Sequence, residues 1–187
     1  MFGYFGKMPG HGDFVRSRAD VGFVAGWDAW LQDCFATSRA ILGDAWVRSY
    51  ESAPIWRFAL AGGVCGDAPM LGVMMPSQDR VGRTFPLTVF ARLKRSAGAG
   101  ALDTEPLMTG MEDAALEMLS EGARQDQLRA RLDGFTLPDL PGGGKGSAWL
   151  STFFGGAPRR DELGFGGLPP APRFVKMLNP AWEGANV

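Results

Sequence analysis

The sequence predicts an α/β sandwich: one domain, with a mostly antiparallel central sheet and amphipathic helices packed on it. Three observations carry that prediction. From Phe23 to Leu42 the residues Phe23, Trp27, Trp30, Leu31, Cys34, Phe35, Ser38, Ile41 and Leu42 recur at three- and four-residue steps, which is one face of a helix. From Ile55 to Leu93, three short apolar runs follow one another with short turns between them, as in an antiparallel meander. Leu107, Met111, Ala115, Met118 and Leu119 then repeat the helical spacing.

Taken in order, Phe2 to Met8 reads as a short strand of aromatic and small residues stopped by Pro9-Gly10. The glycine-rich stretch Pro9 to Asp13 follows, ahead of Phe14-Val15 with Arg16 and Arg18 close by. Asp20 is placed to cap the first helix and Gly43 to end it. A shorter helix is expected from Asp44 to Ser52, with Trp46, Val47 and Tyr50 inward, ending before Pro54. Ile55 to Ala61 alternates Trp56, Phe58 and Leu60 against Ile55, Arg57 and Ala59, a strand signal that Gly62-Gly63 ends. Met70 to Met75 is nearly continuous in apolar residues, as in a strand buried on both faces. Phe85 to Leu93 is the third strand of the meander. Glu105-Pro106 supplies a first turn for the Leu107 helix, and Leu128 and Leu132 mark a further short helix ending near Gly134. Leu137 to Gly146 is the clearest break. Ser147 to Phe154 reads as a strand, residues 159–162 as a charged turn, and Leu163 to Pro172 as a glycine- and proline-rich loop. Arg173 to Leu178 is a last short element, strand or helix. The ordered core is expected to run to about residue 178 of the domain spanning 1–187, with a frayed tail beyond Asn179.

At 187 residues the chain is large enough to bury a core without disulfides. Hydrophobic residues at 45% and charged residues at 21% are ordinary for a globular protein. With 19 basic against 20 acidic side chains and a net charge of −1, the totals carry no footprint for nucleic acid or an anionic membrane. No stretch reaches the roughly 20 apolar residues of a membrane helix, and no basic region with an apolar core marks a secretory signal. The expectation is a cytoplasmic protein without membrane insertion. The two cysteines, Cys34 and Cys65, read as buried free thiols in a reducing compartment, and a single histidine, His11, argues against a His-based metal site.

Motifs that suggest chemistry fall short of it. Gly142-Gly-Gly-Lys-Gly-Ser147 has Asp139 where a phosphate loop needs its first glycine, and Gly146 where Ser or Thr would hold magnesium. A mobile loop is the simpler reading. His11 and Asp13 could pair as acid and base, but no nucleophile accompanies them: Ser77 lies in Pro-Ser-Gln, outside a Gly-x-Ser-x-Gly elbow, and Cys34 is on a buried helix face. Local side-chain to backbone hydrogen bonds account equally for a His-Gly-Asp loop. Trp27, Trp30, Trp46, Trp56 and Trp149 read as core.

The most informative stretch lies between the second and third strands. Asp79, Arg80 and Arg83 surround Gly82 in a short loop shown by two buried strands, where a rigid scaffold places a working surface. Three readings stay open: a solvated loop, a salt-bridge lattice pinning the loop to Lys7 or Asp13, or a recognition patch, since guanidinium pairs in a planar, bidentate way with carboxylate or phosphate. The candidate cluster is Lys7, His11, Asp13, Asp79, Arg80 and Arg83. The expectation is that its two loops meet in space, with Asp13 or Asp79 pairing with Arg80 or Arg83.

Several of these segments together resemble the TagF (ImpM) family of type VI secretion-associated proteins. They are Gly3-Tyr-Phe-Gly-Lys-Met-Pro-Gly-His-Gly-Asp-Phe-Val15, Trp27-Asp-Ala-Trp-Leu31, Ala53-Pro-Ile-Trp-Arg-Phe-Ala-Leu60, and Gly72 to Arg83 with Phe85-Pro-Leu87. Ser147-Ala-Trp149 and Gly166-Gly-Leu-Pro169 look like its C-terminal landmarks. The resemblance implies a cytoplasmic, non-enzymatic bacterial accessory protein, regarded as a post-translational repressor acting through a forkhead-associated scaffold protein. Some relatives carry a PppA-type phosphatase domain; here any phosphatase would be a separate protein. The resemblance supplies no catalytic residues, cofactor or metal. The rival reading is an enzyme or small-ligand binder using the His11/Asp13 and Asp79/Arg80/Arg83 loops, which requires a pocket enclosing those side chains.

Overall fold

The architecture follows from the alternation in Ile55 to Leu60. A strand sends successive side chains to opposite faces, so Trp56, Phe58 and Leu60 go to one side and Ile55, Arg57 and Ala59 to the other. Both sides are covered, because helices pack on both faces of the sheet. A computed structural model describes residues 1–120, 122–154, 157–158 and 160–183. Its strands are β1 (Phe2–Gly6), β2 (Val15–Ser17), β3 (Ile55–Leu60), β4 (Met70–Met75), β5 (Leu87–Arg92), β6 (Ser147–Phe154), β7 (Ala157–Pro158) and β8 (Glu162–Phe165). The sheet order is β2-β1-β5-β4-β3-β6, with β7 and β8 both on the outer edge of β6. Every strand pairing among the described residues is antiparallel. The β3-β4-β5 meander forms the middle of the sheet.

One face carries α1 (Val21–Leu42), α2 (Trp46–Glu51) and α5 (Ala171–Leu178); the other carries α3 (Leu107–Leu116) and α4 (Gln125–Asp133). This three-layer arrangement is why β4 is buried along its whole length. Leu71, Val73 and Met75 meet α3 and α4, while Met70 and Met74 meet the α1 layer. α1 begins where Asp20 accepts hydrogen bonds from the Gly22 and Phe23 amides and ends at Gly43. Its stripe of Phe23, Trp27, Trp30, Leu31, Cys34 and Phe35 is buried.

The α1 face is a packed aromatic layer. Across the sheet, Trp149, Phe58, Gly72, Phe90 and Gly3 lie in register on β6, β3, β4, β5 and β1. Large rings thus alternate with glycines. A Cβ on Gly72 would sit 2.4 Å from the Val89 carbonyl oxygen and 2.6 Å from the Phe58 ring. Trp27 settles on this row, 4.9 Å from Phe58 and stacked at 5.9 Å on Trp149. Buried indole N–H groups need acceptors, and five find one: Trp27 donates to Thr88, Trp30 to the Pro169 carbonyl, Trp46 to Ser38, Trp56 to the Met177 carbonyl and Trp149 to Ser147, while Trp182 Nε1 is buried without a partner among the described residues.

Several elements differ from the sequence expectation. β2 is a strand where only an apolar pair was expected. Val47 is exposed, because Trp46 and Tyr50, four apart, take the buried side of α2. Leu119 is 39% exposed, because α3 tightens into a 3-10 turn at Glu117–Leu119 and the stripe loses phase. β8 occupies part of the expected loop from Leu163 to Pro172. The last element is a helix, with Phe174, Val175, Met177 and Leu178 buried. Of the expected charged turn, residue 159 lies outside the described residues. Of the expected frayed tail, residues 184–187 lie outside them, but the Asn179 side-chain Nδ2 donates to the Ser49 hydroxyl and Trp182 packs against the α1-face core.

Candidate functional site

β1 and β4 end at the same edge of the sheet, on either side of β5, so the segments leaving them run close together. After β4, Ser77 and Phe85 continue the hairpin: the Phe85 amide donates to the Ser77 carbonyl, and Gln78 pairs with Thr84. Ser77 is fixed from both sides. Its hydroxyl donates to the Lys7 carbonyl, its amide donates to the Tyr50 hydroxyl, and that hydroxyl donates to the Ser77 carbonyl. The tip is a tight turn in which the Gly82 amide donates to the Asp79 carbonyl and the Asp79 amide to the Arg83 carbonyl. Gly82 takes φ +81°, a left-handed conformation that favours glycine.

Asp79 is the knot. Its side chain is fully buried. One carboxylate oxygen accepts the Val81 and Arg83 amides at 3.1 and 2.9 Å. The other accepts Lys7 Nζ at 2.5 Å and Arg83 Nε at 2.7 Å. Burial alone would raise the Asp79 pKa. The hydrogen bonds from Lys7, from the Arg83 amide and side chain, and from the Val81 amide outweigh it and hold the carboxyl well below the usual carboxylate range. Lys7 is buried too, with its ammonium 4.8 Å above the Phe14 ring.

The loop after β1 is tied to this turn by its backbone. The Arg80 amide donates to the His11 carbonyl at 2.9 Å, and Arg83 Nη2 donates to the Gly12 carbonyl at 2.6 Å. Of the pairings the sequence left open, Asp79 with Arg83 forms, and two others are absent among the described residues. Asp13 reaches neither Arg80 nor Arg83; it is exposed and accepts the Phe14 amide at 2.7 Å, an Asx-type local bond. His11 is not oriented by Asp13 either: its Nδ1 is buried without a hydrogen-bond partner. Arg80 is exposed, and its guanidinium has no ion-pair partner among the described residues. The structure therefore brings Lys7, Asp79 and Arg83 into one ion cluster, sets His11 and Arg80 beside it through backbone contacts, and leaves the Asp13 carboxylate apart.

The cavity beside the turn does not enclose these side chains. It measures about 270 Å³ and is lined by Pro9, Tyr50, Glu51, Pro76, Ser77, Gln78 and Leu119, with none of the six among them. No group of three or more His, Cys, Asp or Glu side chains placed to hold a metal occurs among the described residues. Cys34 and Cys65 are free and buried, and burial pushes the Cys65 thiol up to about 12, so both are protonated at neutral pH.

A second polar centre had no place among the sequence candidates. Arg57, buried on the α3 side of β3, donates to both oxygens of Glu112 at 2.8 and 3.0 Å, to Glu105 at 2.6 Å and to the Leu102 carbonyl at 2.8 Å. Thr152 donates to the same Glu112. The network bolts α3 to the middle of the sheet. Its signal was available: one arginine among the residues that Ile55 to Leu60 sends to a covered face.

Together these features define an α/β/α domain on an antiparallel sheet, presenting two interlocked charged loops at one end. A family model described as the TagF N-terminal domain, type VI secretion system-associated, matches residues 3–135. The chain belongs to that family. Its fold is similar to that in the crystal structure of PA0076 from Pseudomonas aeruginosa PAO1, with a TM-score of 0.87 and 30% identity, covering 100% of this chain and 98% of that one. Among curated proteins none matches the sequence. The chain is thus an accessory protein of the type VI secretion system. No helix among the described residues is long and apolar enough to cross a membrane.

Proposed function

We propose that this protein is a non-enzymatic cytoplasmic regulator that represses type VI secretion after translation, by binding a forkhead-associated scaffold protein. Family membership carries the reading, since the family is tied to this secretion system. Two features support it. The charged residues brace a loop surface, with Asp79 saturated by four hydrogen bonds and the nearby Ser77 hydroxyl engaged by the Lys7 carbonyl. Free buried thiols suit a reducing compartment.

The test is done in cells with an active type VI apparatus. A tagged copy of the protein should co-purify with the scaffold, and raising its level should lower secretion while scaffold abundance stays constant. Unchanged secretion overturns the repressor reading. So does a loss of secretion that merely follows a fall in scaffold level, which would make the protein an assembly or stability factor.

A further inference from the structure

We infer that the end of the sheet bearing the Asp79 clamp is the docking face, and that its partner presents an acidic segment with an apolar anchor. The inference rests on the binding function proposed above and specifies the face and the chemistry of what it binds.

The first ground is charge. The chain as a whole is near neutral, at −1, but this end is not. Lys7, Arg16, Arg80 and Arg83 outnumber Asp13, Asp79 and the Glu51 of the neighbouring cavity, and Asp79 is held by Lys7 and Arg83. Arg80 is left as an exposed guanidinium with no ion-pair partner among the described residues, held in place through its own backbone by the His11 carbonyl. A fork of donors on a braced backbone costs little further ordering when it meets a carboxylate. Asp13 is the one exposed acid of the two loops, and it is turned to the Phe14 amide.

The second ground is the exposed apolar surface in the same loops. Phe14 is 40% exposed, yet it is rigidly seated, stacked at 5.4 Å on Phe5 and edge-on at 4.8 Å to Phe85. Arg16, exposed, stands opposite Phe5 in the β1–β2 register, and the Lys7 ammonium lies 4.8 Å over the Phe14 ring. Val81, 69% exposed, sits at the tip of the turn beside Arg80. A fixed, partly exposed aromatic in loops that also carry arginine matches the composition of interface anchors. A basic partner would leave the guanidinium without a complement, and a wholly polar one would leave the ring without one.

The experiment measures binding of the purified full-length protein to the purified forkhead-associated scaffold. Arg80→Glu and Val81→Asp change exposed side chains and should keep the wild-type melting temperature; Phe14→Ser adds the ring. Arg80→Glu should weaken binding about tenfold, chiefly through slower association, and Val81→Asp and Phe14→Ser by comparable factors. Wild-type affinity should fall as salt rises from about 0.05 to about 0.5 M, where screening shortens severalfold, and Arg80→Glu should flatten that dependence. If folded Arg80→Glu and Val81→Asp bind like wild type, or Arg80→Glu binds more tightly, the inference is overturned while the proposed function stands. Self-association abolished by Arg80→Glu with scaffold binding intact assigns the face to a second copy and also overturns it. If the wild-type protein does not bind the scaffold at all, the proposed function fails and the inference with it.

Discussion

At the scale of the residue, the two loop arginines have different jobs. Arg83 is structural: it closes the Asp79 carboxylate and reaches the Gly12 carbonyl. Arg80 makes only a backbone contact there. Asp79 depends on being ionised, and its pKa lies below the ordinary value of 3.8. The stability this contributes is complete at neutral pH, begins to fall as pH drops through 3.8 and goes on falling towards the native value. Asp79→Asn should therefore melt lower than wild type at neutral pH. It should also lose less stability between pH 7 and about 3 than wild type does; urea titrations at the two pH values measure both. An equal acid loss in the two proteins would place the sensitive carboxylates elsewhere, with Glu105 at Arg57 and Asp103 at Arg160 the next to examine. The cluster's membership was legible, because charged side chains around a glycine between two apolar runs must lie at a loop. Its pairings were not. Asp13 and Asp79 are equivalent in composition, and only the turn closed at Gly82 decides which carboxylate is surrounded by donors.

At the scale of the element, legibility followed the strength of the local signal. α1 could be read to within two residues, since an acidic cap, a long apolar stripe and a terminal glycine agree. β2 could not: Val15–Ser17 holds one buried apolar residue and exists because β1 offers it a free edge. β8 is similar, a short stretch recruited by β6 from a sequence rich in glycine and proline. Arg57 was legible as a strand residue but not as a centre, because Glu112 comes from α3 and Glu105 from the turn before it, about fifty positions away. The aromatic row makes a sharp demand on β4. Gly72→Ala brings a methyl group onto the Val89 carbonyl and the Phe58 ring, and overpacking of this kind costs about 1–3 kcal/mol. Chemical denaturation should show a loss of that size, and a neutral result would mean that Phe58 can move aside.

At the scale of the whole molecule, two cores share one sheet. β3 and β4 have no solvent-facing side, so neither helical layer can leave without uncovering them. The two cores are not alike in composition. Five tryptophans are buried in the α1 face and the sixth, Trp182, leans on it, while the α3 face has Phe2 and Tyr4 with Phe135 against them. The molecule is therefore optically one-sided. Its indole emission reports only the layer under α1 and α5, whereas far-ultraviolet circular dichroism samples the helices of both faces. Urea unfolding followed by the two signals should give coincident midpoints, as one cooperative unit requires. A dichroic change that precedes the emission change would show the α3 and α4 layer peeling away while the tryptophan side stays dark to the event.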